Sequence, residues 1–113
     1  MVDRLPEFEL QDELYSNPED IVITISIAGN PVTVNRTDGK PIQLALVKNP
    51  IFGVRGNSFA DVVYVTTDGQ APLSKGKTMA IGESLYLPGL ITTGKFKFDT
   101  NNNGTNVEIT LWG

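Results

Sequence analysis

An all-β fold is expected for this chain: an antiparallel β-sandwich or jelly-roll-like barrel preceded by an extended or partly helical N-terminal arm. Three observations predict it. Short runs of β-branched and alternating residues recur roughly every ten residues with turn residues between them, the rhythm of a sandwich or small barrel. A length of 113 residues with 40% hydrophobic content fits one core rather than two. Finally, the charge divides sharply: residues 1–20 hold seven carboxylates against Arg4, net −6, whereas residues 21–113 are net +2. The domains are therefore an acidic arm, 1–20, and a single β-domain, 21–113.

The arm comes first. Leu5, Phe8, Leu10, Leu14 and Tyr15 punctuate its acidic run, so it is too apolar for a purely solubilising tail and too short to build its own core. Residues 6–14 read either as two helical turns, with Leu10 and Leu14 stacked four apart, or as an extended strap. Fully extended, twenty residues reach at most about 66 Å, enough to cross a neighbouring subunit.

The body then reads strand by strand. Residues 21–28 alternate isoleucines with Val22, Thr24 and Ser26, the period-two pattern of a half-buried strand. Gly29-Asn30-Pro31 breaks that run, Val32–Val34 resumes it, and Asp38-Gly39 supplies a turn before Ile42–Val47, together resembling a meander. A short irregular strand is expected at Ile51–Arg55, and a clearer one at Val62–Thr67. Gln70–Thr78, with Pro72 and Gly76, fits a surface loop. Ser84–Leu87 is a strand that Pro88-Gly89 closes. Lys95–Asp99 places Phe96 and Phe98 inward and its lysines outward. Asn101–Gly104 has the composition of a hairpin turn, and Asn106–Trp112 returns with Val107, Ile109 and Leu111 on one face.

Composition narrows the chemistry. There is no cysteine and no histidine, which removes disulfides, thiolate nucleophiles, the usual zinc ligands and every triad built on an imidazole. No enzymatic activity is expected, and no cofactor. The net charge of −4 argues against nucleic acid, which demands a basic stripe. Nothing approaches the roughly 20 apolar residues of a membrane span, and the acidic N-terminus lacks the features of a secretory leader, so synthesis in a cytoplasm is expected. The glycosylation patterns at Asn35 and Asn103 are read as coincidental.

Four features carry candidate sites. Asp99–Gly104 reproduces the first half of a calcium loop, but the twelfth position is Thr110 where a bidentate glutamate is needed; it reads as a structural turn and no metal is expected. Five of the body's acids, Asp61, Asp68, Glu83, Asp99 and Glu108, are candidates for paired-carboxylate chemistry, but most lie at turns, where such side chains serve the backbone. Lys95 and Lys97 read as solvation of a sheet face that discourages edge pairing, with docking of a neighbour's acidic arm as the alternative. Trp112 is either a core cap or an anchor against a partner. The residues expected to bind a partner are Leu5, Phe8, Leu10, Leu14, Tyr15 and Trp112.

One resemblance joins these pieces. Leu44–Asn49, then Ala60–Thr66 with its Val63-Tyr64-Val65 core, Leu73, the Gly82-Glu83-Ser84 turn opening Leu85-Tyr86-Leu87, and the closing Asn106–Trp112 form a pattern that resembles small virion proteins of tailed bacteriophages. These are the head-decoration or cement proteins and the bases of head fibres. The resemblance implies a structural protein on the capsid exterior that stabilises the shell by binding the major capsid protein at subunit junctions. Copies of the chain would meet as dimers or trimers, with arm and strand edges bridging neighbours. The chain departs from the pattern in its Ile51–Ser58 segment and its acidic arm.

A different class of function stays open at this stage. A carbohydrate-binding or adhesin-like β-module of a fibre or cell-surface assembly needs only an aromatic platform, for which Trp112, Tyr64 and Tyr86 are the candidates. A small hydrolase built on two of the acids is a weaker third reading.

Overall fold

A computed structural model describes residues 18–51, 56–58 and 60–113. Among the described residues, eight strands form two four-stranded sheets: β1 (Glu19–Ile25), β2 (Val32–Thr33), β3 (Ile42–Lys48), β4 (Val63–Thr66), β5 (Lys77–Met79), β6 (Ser84–Ile91), β7 (Lys97–Thr100) and β8 (Thr105–Trp112). A short helix among them, α1 (Pro72–Lys75), precedes β5. The first sheet has the order β1-β8-β3-β6 and the second β2-β7-β4-β5, with every pairing antiparallel. The chain thus passes repeatedly from one sheet to the other, and this strand order is the double Greek key of a jelly roll.

The core lies between the sheets. Ile21, Ile23 and Ile25 of β1 stand opposite Ile109, Val107 and Thr105 of β8, and they meet Val63, Val65, Phe96 and Phe98 from the other sheet in one apolar cluster. Phe96 and Phe98 pack at a centroid distance of 4.6 Å, tilted by 52°, a geometry that aromatic quadrupoles favour. The alternation read at residues 95–99 therefore gives the inward face correctly.

Several expectations need correction. Residues 101–104 do not close a hairpin: β7 belongs to the second sheet and β8 to the first, so the segment is an arch between layers. The meander expected for β1 to β3 fails for the same reason, since β2 lies in the opposite sheet. β6 runs on through Pro88 and Gly89 to Ile91. Proline survives there because β6 is an edge strand, and the pairing shifts between Ile42 and Leu44, with Gly89 at φ +102° meeting the backbone demand of the irregularity. Within the expected loop 70–78 lies α1 and the start of β5. Gly76 makes that connection possible, since a Cβ there would fall 2.5 Å from the Pro72 carbonyl oxygen and 3.0 Å from the backbone of Val65. Lys97 sits on β7, an interior strand, so it does not guard an edge. In the second sheet the edges are protected instead by being very short, as β2 and β5 are.

Glu19 and Asp20, grouped with the arm by charge, are the first residues of β1, paired with Leu111 and Thr110. Of the strand expected at Ile51–Arg55, residues 52–55 lie outside the described residues, as do residues 1–17 with Leu5, Phe8, Leu10, Leu14 and Tyr15. Among the described residues no helix is long and apolar enough to cross a membrane.

Candidate functional site

Sheets of this architecture normally bury one face and solvate the other. The first sheet departs from that rule. In β3, Ala45 and Val47 enter the main core while Leu44 and Leu46 point to the opposite side and are equally buried. Register places Trp112 of β8 directly opposite Leu44, and the three side chains form a second, separate apolar cluster in which Trp112 is 0% exposed. The unbroken run Leu44-Ala45-Leu46-Val47 is the sequence mark of a strand covered on both faces.

Around this cluster the outer face grades from buried to open. Tyr86 stands opposite Leu46 on β6 and is 41% exposed, while Val22 on β1 is 65% exposed. Between them runs a groove of about 230 Å³ lined by Asp20, Val22, Leu46, Lys48, Glu108 and Thr110. Its polar members are already engaged or matched across strands. Thr110 donates its hydroxyl to Asp20 Oδ1 at 2.7 Å, and Lys48 lies in register with Glu108, an opposite-charge pairing that favours this sheet.

Where β1 begins, a buried arginine fixes the geometry. Arg36, 4% exposed, donates Nη1 to the Leu111 carbonyl oxygen at 3.0 Å and Nε and Nη2 to the Asp38 carboxylate at 3.2 and 3.1 Å. Its Nη2 also lies 3.5 Å from Glu19 Oε1, and Glu19 in turn accepts the Thr37 amide. The bond from Arg36, helped by the Lys40 amide, holds the Asp38 carboxyl below its ordinary pKa. The start of β1 and the end of β8 are thereby tied to the β2–β3 loop.

The other candidates from the sequence serve the fold. In the calcium-like loop, Asp99 Oδ1 accepts the amides of Gly29 and Thr100, Asn101 Oδ1 that of Val62, and Asn103 Oδ1 that of Ala28. These oxygens pin two neighbouring loops. Asp61, Asp68 and Glu83 accept backbone amides of Ser58, Gln70 and Ala80. Among the described residues no group of three or more acidic side chains is placed to hold a metal ion. The aromatic platform is not assembled, because Tyr64 lies on β4 in the second sheet whereas Tyr86 and the buried Trp112 belong to the first.

No family model, curated protein or solved structure matches this chain. Its functional reading therefore rests on the face just described.

Sequence reading missed Asn57, which forms a hydrogen-bond hub with Asn49 and Asn106. Its Nδ2 donates to Asn49 Oδ1 at 2.6 Å and to the Asn106 carbonyl at 2.8 Å, and its Oδ1 accepts the Asn106 amide at 2.8 Å. Asn49, buried, donates onward to the carbonyls of Asp61 and Met79. No sequence signal marks such a network, since asparagines in loops ordinarily report only turns.

Proposed function

We propose that this chain is a structural protein of a bacteriophage virion that decorates the capsid exterior and stabilises it by binding the major capsid protein at subunit junctions. It acts by surface attachment, without turnover and without a cofactor, and copies gather at symmetric lattice positions as dimers or trimers. The observation that carries the reading is the two-sided first sheet, whose outer face presents Val22 and Tyr86 beside the Leu44, Leu46 and Trp112 cluster. A broad, shallow, partly apolar face on a rigid sandwich suits a large flat partner better than a small ligand. The eight-stranded jelly roll supports it less strongly, because that architecture serves viral capsid domains, lectins and cupins alike. Repetition over a lattice turns modest contacts into a large total effect.

The test is co-sedimentation of the full chain with empty shells assembled from the major capsid protein encoded with it, followed by thermal disruption of the loaded shells. Saturable pelleting and a higher disruption temperature are expected. Failure to pellet, together with retention on immobilised oligosaccharides that a Tyr86→Ala change abolishes, would replace this reading with the carbohydrate-binding one.

A further inference from the structure

The arch between β7 and β8 contains the single Asn-Gly dipeptide of the chain, Asn103-Gly104, and both residues are exposed. Asparagine is most reactive in this setting, because glycine has no side chain to shield its amide nitrogen from the neighbouring side-chain carbonyl carbon. In an unconstrained chain the Gly104 nitrogen gives up its proton and attacks Asn103 Cγ. The side-chain nitrogen leaves as ammonia, a succinimide ring closes, and water opens the ring at either carbonyl to leave aspartate or isoaspartate. The arch cannot dispense with the glycine: Gly104 has φ +80° while a Cβ there would meet nothing within 4 Å, so backbone conformation rather than space requires it. The geometry of the arch and the reactive dipeptide therefore come together.

The fold opposes the reaction at the nucleophile. The Gly104 amide donates to the Ile25 carbonyl oxygen at 2.8 Å, and Ile25 is fully buried at the end of β1. Attack must remove the proton held in that bond, so the bond has to open first, as it does for amide hydrogen exchange. The side chain is held as well, its Oδ1 accepting the Ala28 amide at 2.7 Å. Taken alone, that donor would draw charge from Cγ and favour attack, as donors to a developing oxyanion do. With the nucleophile still protonated it has nothing to activate. A third bond, from the Gly29 amide to Asp99 Oδ1 at 2.9 Å, holds the turn that carries Ala28 against the arch. We infer that Asn103 is a latent deamidation site, locked in the native chain by the bond between Gly104 and Ile25 and released whenever the arch parts from β1. Of the two products, aspartate keeps an acceptor for the Ala28 amide, whereas isoaspartate routes the main chain through the former side chain and pulls Gly104 off its bond. Each lasting opening thus converts part of the population irreversibly. The inference concerns the free chain and does not rest on attachment to a shell.

The test incubates the full chain in mildly alkaline buffer, folded and in urea. Peptide mapping by mass spectrometry follows Asn103, and hydrogen exchange read by nuclear magnetic resonance follows the Gly104 amide. Conversion in the folded chain slower than in urea by about tenfold or more, with the Gly104 amide protected by a similar factor, is expected. Asp99→Ala takes the acceptor from the Gly29 amide and should speed both processes together in a chain that keeps the parent's circular dichroism. Where that variant does not fold, the parent comparison decides by itself. Equal conversion in the folded chain and in urea would overturn the inference, and so would a slow Asn103 beside a Gly104 amide that exchanges as fast as in urea.

Discussion

Arg36 reaches from the β2–β3 loop to the carbonyl oxygen of Leu111, 3.0 Å away, across seventy-five positions of sequence. This bond secures the last turn of the chain's path: it joins the loop between β2 and β3 to the end of β8 and, through Glu19, to the beginning of β1. Three segments far apart in sequence thus share one guanidinium. Arginine suits the position because its planar fork serves a carboxylate and a carbonyl together, which a lysine ammonium cannot reproduce.

Arg36→Ala is expected to destabilise the fold by about 2 kcal/mol, less than for a fully buried ion pair because both carboxylates keep some contact with water. That corresponds to a fall of roughly 6–10 °C in Tm. Arg36→Lys should recover only part of the loss. Thermal unfolding followed by circular dichroism measures both, and a Tm within 1 °C of the parent, on the order of 0.3 kcal/mol, would remove the structural role assigned here.

Asp38 makes the same cluster sensitive to acid. Its carboxyl is held below the ordinary value chiefly by the Arg36 hydrogen bond, so the ionised form is favoured in the folded state. The stabilisation is then present above the unfolded-state pKa and disappears as pH falls through the folded-state value. The window lies below about pH 4. Asp38→Asn should be less stable than the parent at pH 7, and the gap in urea midpoint should narrow as pH drops from 5 towards 2.5. A gap that stays constant across that range would show that the carboxylate's charge is not what stabilises.

How much of this was legible in the residues depends on whether local or global information sets a feature. Phe96 and Phe98 alternate with lysines, and alternation alone locates the core face. The strand ending at Asn49 and the turn at Gly82 were visible separately; their bond, from the Gly82 amide to the Asn49 carbonyl oxygen at 2.8 Å, was not, although each is a local turn signal. The arch at residues 101–104 was misread because hairpins and inter-sheet arches use the same turn residues, and only the partners of β7 and β8 distinguish them. Trp112 illustrates the reverse case. Its phase opposite Val107, Ile109 and Leu111 was legible, and the apolar residues at both phases of β3 implied a second buried face. What no local pattern contains is the register that sets Trp112 beside Leu44.

Asn57 helps fasten the segment before β4 to the first sheet through the Asn106 backbone. Asn57→Ala removes the acceptor for the Asn106 amide and the donor to Asn49 Oδ1, taking hydrogen bonds away from partly buried polar groups. The expected cost is about 2–3 kcal/mol. Asn57→Asp keeps the shape but turns an acceptor towards Asn49 Oδ1, 2.6 Å from the present amide nitrogen, so it should destabilise at neutral pH as well. Urea unfolding of both variants separates this view from one in which only side-chain volume matters, since the latter predicts that Asn57→Asp is tolerated.

Val22 and Tyr86 discriminate binding from folding most directly. Both lie on the outer face of the first sheet and both are substantially exposed, at 65% and 41%, so removing their apolar atoms should change stability by no more than about 0.5 kcal/mol. If this face grips a capsid surface, the same atoms become desolvated on attachment, and aromatic contacts are those that most often dominate such interfaces. Tyr86→Ala is expected to weaken shell binding about tenfold, or roughly 1.4 kcal/mol, and Val22→Asp by at least as much, because it sets a charge against the partner without a counter-ion. The pair should be measured by titrating shells with fluorescently labelled chain, alongside Lys75→Ala on α1, the helix that packs against the second sheet, as a distant surface control. Equal affinities for all three variants and the parent would move the attachment surface away from the first sheet, while a loss confined to Lys75→Ala would relocate it to the opposite side of the sandwich.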